Sequence, residues 1–352
     1  MEFIKTSKYK KGNFSRLIDF DELKKLKKIK VNQKLELLPD VINMNLLDKY
    51  AKKGLKIVPI SRISNREWSQ RKDFPNRVLL EMTSRCNYNC RMCPRHNLTR
   101  PKIDFDKDLY FKVLDELDKY GTEGVWLYHL GESILHPEWK EIIEYVGNKK
   151  HIGMVWLSTN GYAFNRDCSD FILKSNLTFL NYSLHGTNSK TYSYVSPKKN
   201  YPIVRKNLEY LLKKKQKLGT GPIIHIQMID QAGTHDNINE FLETFYQTGE
   251  IVSINTLEYS NLPNNQYGLG RKRPSIVKQC NRLSRGDCFI VSNGDVQPCD
   301  ATYNSEILLG NVKEKSVKEI WDSPTRLEML KLNNRGKLFT IDHCSKCTDY
   351  DL

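Results

Sequence analysis

Three cysteines stand in a C-x3-C-x2-C pattern at Cys86, Cys90 and Cys93, inside EMTSRCNYNCRMCPRHN and directly after an apolar run. Thiolates so spaced can hold three irons of a cubane iron-sulfur cluster, whereas the fully protein-ligated cluster takes four. The fourth iron is then open to a small molecule, by the logic that leaves one position open on catalytic zinc. A tetrahedral zinc site competes with this reading, and His96 is the nearby candidate for its fourth ligand. A second set, Cys280, Cys299, Cys344 and Cys347, would close a metal centre completely, as a cluster or as a four-cysteine zinc site. Cys288 competes with Cys280 for a place in it, and Cys168 reads as an inert packed thiol.

The rest of the chain bears on how these thiols are read. The sequence has 352 residues and nine cysteines, an odd number, and its N-terminus MEFIKTSKYKKG has no apolar segment behind its charges. That argues for metal or redox chemistry over a disulfide framework. No stretch approaches the roughly 20 apolar residues of a membrane span, so a cytoplasmic protein without membrane contact is expected. The hydrophobic fraction of 39% and the mean hydropathy of −0.58 are those of an ordinary globular chain. The formal net charge of +15 invites an acidic partner, but lysines spread over helical faces such as LLKKKQKLG (211–219) read as solvated. With no basic patch interleaved with aromatics, no nucleic-acid partner is expected.

The thiols must be positioned by something, and from residue 77 onward the pattern is regular. Six apolar runs, RVLLEMTS (77–84), GVWLYHLG (124–131), GMVWLSTN (153–160), TFLNYSLH (178–185), IIHIQMID (223–230) and IVSINTLEY (251–259), read as strands. Helical signals lie between them: Leu109, Val113, Leu114 and Leu117 share one face, as do Ile142, Ile143 and Val146, and Leu208, Leu211 and Leu212. Six β/α units with apolar strands predict an α/β fold with a parallel sheet covered by helices, a partial (β/α)6 TIM-like barrel. Reactive groups in such folds follow the strand C-termini, and here the cysteine triplet, GES (131–133), STNG (158–161) and SLHG (183–186) all do. The spacing predicts a barrel over 76–265. Residues 266–352 form a small hairpin-and-helix domain, with CFIVSNGDVQPCD turning at Asn293-Gly294. The basic extension, 1–75, is expected to hold two amphipathic helices, DFDELKKLKKI and NLLDKYAKKG, the second capped by Gly54.

With the aromatic Tyr88 and the apolar Met92 inside it, the cysteine triplet resembles that of the radical S-adenosylmethionine (SAM) superfamily, and the later loops match in order. LGESILHPEW (130–139) is similar to the family's GGEP segment, whose backbone and Glu engage the SAM amino group; with Leu130 and Ser133 in place of a Gly and the Pro, Gly131 and Glu132 carry over. STNG and SLHG resemble the segments lining the methionyl and ribose parts of SAM, which points to Asn160 and Ser183. The latter segment commonly reads SxDG; here His185 replaces Asp, and imidazole can also hydrogen-bond a hydroxyl. The resemblance implies that the vacant iron chelates SAM and that an electron entering the sulfonium breaks a carbon-sulfur bond. The 5'-deoxyadenosyl radical so formed would take hydrogen from a substrate.

The C-x13-G-x4-C spacing from Cys280 through Gly294 to Cys299, then C-x2-C, resembles the SPASM or shorter twitch extension of that superfamily; LLGNVKEKSVKEIWDSP (308–324) is similar to the segment before its last cysteines. Five cysteines suffice for one auxiliary 4Fe-4S cluster, and the pattern through Gly294 favours Cys280 over Cys288. Sulfatase-maturating relatives carry an Asp with a proposed base role in the place of Asp300. The expectation is a radical SAM enzyme, of oxidoreductase type, modifying a peptide or protein side chain and served by a flavodoxin- or ferredoxin-like reductant. The alternatives are a dehydrogenase or epimerase acting on a small sugar or aminocyclitol alcohol and, in another class, an electron-transfer or zinc-stabilised binding protein.

Overall fold

The structure is a computed structural model describing residues 73–347 apart from 197, 232, 246–250 and 257–278, together with strand residues 35–37 and 56–57. The two helices expected in 1–75 lie outside the described residues. What is described there is two short strands, β1 (Leu35–Leu37) and β2 (Lys56–Ile57).

All six expected strands form: β3 (Arg77–Leu80), β4 (Gly124–Trp126), β5 (Val155–Thr159), β6 (Phe179–Ser183), β7 (Ile223–Asp230) and β8 (Ile251–Thr256). They pair in sequence order and in parallel, with β1 and β2 continuing the sheet in parallel beyond β8. Helices α1 (Lys107–Tyr120), α2 (Trp139–Gly147), α3 (Arg166–Lys174), α4 (Ser189–Val195), α5 (Tyr201–Leu218) and α6 (Ile238–Phe245) make the crossovers. This is the open, partial barrel read from the sequence.

Strand alternation divides the labour between the two faces. Val78, Leu80, Val125, Leu157, Leu180, Ile224 and Ile226 form one core with Val113, Leu117, Ile142, Ile172 and Leu208 of the helices. The inner face carries a different set. Near its N-terminal end Trp126 stacks on Trp156 at 6.1 Å, Trp156 meets Phe179 at 3.7 Å, and His225 lies edge-on to both Trp156 and Phe179. Further along the strands Ser158, Ser183 and Gln227 are only half-buried, so the inner face opens toward the strand C-termini.

The C-terminal region joins this sheet. β9 (Asp287–Ile290) pairs in parallel with β3, and β10 (Asp295–Gln297) and β11 (Gly310–Asn311) follow antiparallel. The hairpin turn differs from a two-residue Asn-Gly turn. Gly294 N–H donates to the Val291 carbonyl at 2.8 Å and Val291 N–H to that of Asp295 at 3.0 Å, so the loop spans 291–294. Gly294 takes a φ of +92°, open to glycine without strain. Helices α7 (Asn281–Arg285), α8 (Val317–Trp321), α9 (Pro324–Asn334) and α10 (Asp342–Ser345) complete the region. No helix among the described residues is long and apolar enough to cross a membrane.

A buried ion pair joins hairpin to barrel. Glu81, just past β3 and fully buried, accepts from Arg100 Nη2 at 2.8 Å, and Arg100 Nη1 stands 2.8 Å from its other oxygen. It also accepts Ser292 N–H at 2.9 Å and Leu130 N–H at 3.3 Å, with His129 Nδ1 3.6 Å away. Arg100 reaches the Ser292 hydroxyl and the Tyr303 carbonyl. Burial alone would raise the Glu81 pKa, but His129 and Arg100 bring it down from 4.5 to about 2. Its contribution to stability is therefore present above pH 4.5 and lost as pH falls toward 2. Removing the charge strands a buried guanidinium, and Glu81→Gln is expected to lower the unfolding free energy at neutral pH by about 3–5 kcal/mol. Denaturant titration should show that deficit shrinking below pH 4.5; a deficit that does not vary with pH would refute the ion-pair origin.

Candidate active site at the strand C-termini

The cysteine loop leaves β3 and is anchored at its base. The Thr83 hydroxyl donates to Asp104 at 2.6 Å, and Ser84 and Ile103 exchange hydrogen bonds. Within the loop Cys93 N–H donates to the Cys90 carbonyl at 3.0 Å, and Tyr88 N–H points at Cys86 Sγ at 3.4 Å. The three thiols are half-buried and lie within electrostatic range of one another. Burial, and next the Glu132 carboxylate, push Cys86 up to about 12, and burial raises Cys90 and Cys93 as well. Uncoordinated, these are neutral thiols at physiological pH; coordination is what ionises such a set. His96 is exposed, with Nε2 2.9 Å from the Cys90 carbonyl.

Two residues of the triplet form its wall against α4. The Tyr88 hydroxyl lies 2.8 Å from that of Tyr192, and Met92 packs on Val195. Both side chains are buried.

The loops after β4, β5 and β6 converge on the cysteine loop. A Cβ on Gly131 would sit 1.9 Å from the Thr83 carbonyl oxygen and 2.9 Å from that of Arg85. No side chain fits there. Glu132 N–H donates to the Arg85 carbonyl, while its buried carboxylate accepts the Thr159 hydroxyl and Asn160 N–H, each at 2.7 Å. Asn160 Nδ2 in turn donates to Asn87 Oδ1 at 2.7 Å and lies 3.8 Å from Cys86 Sγ. Glu132 is thus a brace between loops. Ser183 is half-buried beside Asn181, 3.2 Å away. His185 has a φ of +54°, rare for a residue with a side chain. Its ring is buried, which lowers its pKa to about 4 and keeps it neutral, and Nδ1 has no hydrogen-bond partner among the described residues.

The second cysteine set gathers beyond the hairpin. Cys280 opens α7, Cys299 follows β10, and Cys344 and Cys347 lie on and just after α10. The Cys344 thiol is within electrostatic range of Cys280, Cys299 and Cys347. Asn333, buried on α9, grips the Cys280 backbone at both its N–H (2.6 Å) and its carbonyl (3.2 Å). Cys288 instead packs into the apolar core on β9, among Arg326, Asp287 and Glu116. Asp300, which a hairpin end would leave solvated, is 2% exposed and lies 3.1 Å from Arg282 Nε. Among the described residues no three His, Cys, Asp or Glu side chains close on a single ion position. Cys168 is buried on α3.

Sequence reasoning missed Glu81, Arg100, His129 and Asn333. A carboxylate inside the apolar run RVLLEMTS was the available signal for Glu81. The other three have no local pattern.

Two family models and several known proteins are similar to this chain. Residues 80–233 match the family model of the radical SAM superfamily, and 280–348 that of an iron-sulfur cluster-binding domain, SPASM. The chain is 23% identical over 292 residues to the tungsten-containing aldehyde ferredoxin oxidoreductase cofactor-modifying protein of Pyrococcus furiosus, covering 70% of this chain and 80% of that protein. In structure it is similar to BtrN in complex with AdoMet and 2-DOIA, at TM-score 0.54 and 15% identity over 77% of this chain and 92% of BtrN. It is also similar to Streptococcus suis SuiB bound to precursor peptide SuiA, at TM-score 0.57 and 14% identity over 83% and 73% of the two chains. At these identities the structural likeness concerns the fold.

Burial raises the Glu132 carboxyl from 4.5 to about 7, against the pull of its bonds to Asn160 and Thr159. In metal-free protein it favours folding fully below pH 4.5, and that contribution is lost as pH rises through 7. Between these values the wild type should lose on the order of 3 kcal/mol relative to Glu132→Gln, read by urea titration. Parallel pH profiles for the two proteins would sink this assignment.

Proposed function

Because the chain belongs to the radical SAM superfamily and carries a SPASM domain behind its barrel, we propose that this SAM-cleaving enzyme oxidises a side chain of a peptide or protein. The domains bring a 4Fe-4S cluster with SAM and an additional auxiliary iron-sulfur cluster. Cys86, Cys90 and Cys93 would hold the first, their three half-buried thiols fitting a cluster with one open iron. Cys280, Cys299, Cys344 and Cys347 would hold the second. When bound, these groups supply a 5'-deoxyadenosyl radical that takes a hydrogen atom from substrate, and an acceptor for the second electron of an oxidation.

The chain's own residues do the rest. Gly131 lets the loop after β4 lie directly on the cysteine loop, and Glu132 and Asn160 hold three loops in one arrangement around SAM. Ser183 and the neutral His185 ring offer hydrogen bonds on the ribose side, while Tyr88 and Met92 wall the loop off from water. Asp300, held by Arg282, would take the proton that the substrate radical loses together with the second electron.

The observation that carries this reading is the convergence of three loops on the cysteine triplet while the Glu81–Arg100 pair fastens the second cysteine domain beside it. The precursor peptide bound by SuiB supports a macromolecular substrate. A second reading, a small alcohol, is favoured by there being five cysteines from 280 onward, enough for one auxiliary cluster, and by the likeness to BtrN with 2-DOIA bound.

Deuterium transfer separates the two. Reduced enzyme with SAM and a deuterated lysate, divided into macromolecular and small-molecule fractions, is expected to yield deuterated 5'-deoxyadenosine from the macromolecular one; label arising from the small-molecule fraction alone reverses the choice. Anaerobically reconstituted protein should carry about eight irons, falling to about four with SAM cleavage abolished when Cys86, Cys90 and Cys93 are all Ala. With the labelled substrate in hand, Asp300→Asn should keep SAM cleavage and lose product formation by roughly 10²–10⁴-fold; unchanged product formation removes Asp300 from the mechanism.

A further inference from the structure

The charge around the cysteine loop is one-sided. Residues 85–102 hold Arg85, Arg91, Arg95, Arg100 and Lys102 and no acid; residues 189–199 hold Lys190, Lys198 and Lys199 and again no acid. The fold lays these segments side by side. Arg91 N–H donates to the Val195 carbonyl at 2.9 Å, and its guanidinium lies 5.4 Å from the Tyr194 ring. Lys198 Nζ donates to the Asn87 carbonyl at 2.6 Å and sits 5.6 Å from the Tyr88 ring. Arg91, Lys102, Lys198 and Lys199 are exposed. Nearby acids do little to offset them. Asp104 is taken up by Arg85 at 2.6 Å, Glu132 is buried, and the exposed Glu306 stands beyond Asn304 at the far end of the loop. Arg100 is neutralised by Glu81.

This ridge follows the cysteine loop: Arg91 lies between Cys90 and Cys93, and Lys198 is held against the loop at Asn87. A substrate must reach the inner face; an electron need only reach the loop.

We propose that Arg91, Lys102, Lys198 and Lys199 form the docking surface for an acidic one-electron carrier protein, resting on the radical SAM reading above. Complementary charge would raise the encounter rate and orient the donor over the cysteine loop. In the transfer the donor is oxidised by one electron and the enzyme reduced by one, with no proton moved.

The test uses the reconstituted holoenzyme, a reduced flavodoxin as protein donor and dithionite as a small donor. Two charge reversals are made, Arg91→Glu/Lys198→Glu and, away from the loop's hydrogen bonds, Lys102→Glu/Lys199→Glu. Each should slow optically followed reduction by flavodoxin roughly tenfold or more at low salt, with the difference closing as salt rises. Binding of fluorescently labelled flavodoxin should weaken in parallel, while reduction and SAM cleavage with dithionite stay at wild-type rates. Wild-type rates and affinity for flavodoxin in both variants overturn the proposal. So does a loss of polyglutamate binding with flavodoxin reduction unchanged, which assigns the ridge to another acidic chain. Failure of the wild type to cleave SAM even with dithionite overturns instead the reading on which the proposal rests.

Discussion

A carboxylate and a guanidinium without access to water organise this molecule. Glu81 is fully buried at the exit of β3 and can remain ionised there because Arg100, the Ser292 and Leu130 N–H groups and His129 surround it. Those partners come from three segments: the far end of the cysteine loop, the hairpin turn and the loop after β4. Satisfying one buried charge therefore sets where three functional segments lie relative to the sheet. An apolar contact of the same size would tolerate sliding; a buried ion pair with fixed donors does not.

From that point the site is built by mutual bracing. Glu132 carries out for the inner loops what Glu81 does for the outer ones, accepting from Thr159 and Asn160 while its own N–H is held by Arg85. The two carboxylates differ in charge state because their partners differ. Glu81 faces cations and falls to about 2, whereas Glu132 has only neutral donors and rises to about 7. Around them the thiols are desolvated and raised, which leaves their ionisation to whatever they coordinate. The aromatic floor of Trp126, Trp156 and Phe179 packs at the opposite end of the inner face.

Much of this was legible in the amino-acid order. Both cysteine sets, the six β/α units and the four loops that follow strands depend on chemistry and periodicity within a few residues, and such short-range information survives in one dimension. The pattern through Gly294 favoured Cys280 over Cys288 as a ligand; what the fold adds is that Cys288 is packed in the β9 core near Arg326 and Glu116. The extension shows the limit of the same method: helical periodicity in 1–75 gave no hint of β1 and β2, the first of which pairs with β8 some two hundred residues away.

The sequence by itself determined the chemistry available and the order in which the barrel presents it, because thiol spacing and strand alternation are local properties. Only the tertiary structure decided which groups meet. Glu81 and Ser292 are 211 residues apart, and the pairing of β9 with β3, which brings them together, uses backbone groups that any sequence possesses. For the same reason the burial of Asp300 against Arg282 and the grip of Asn333 on Cys280 could not be read in advance. A polar residue's role depends on what surrounds it, and its surroundings exist only once the chain has folded.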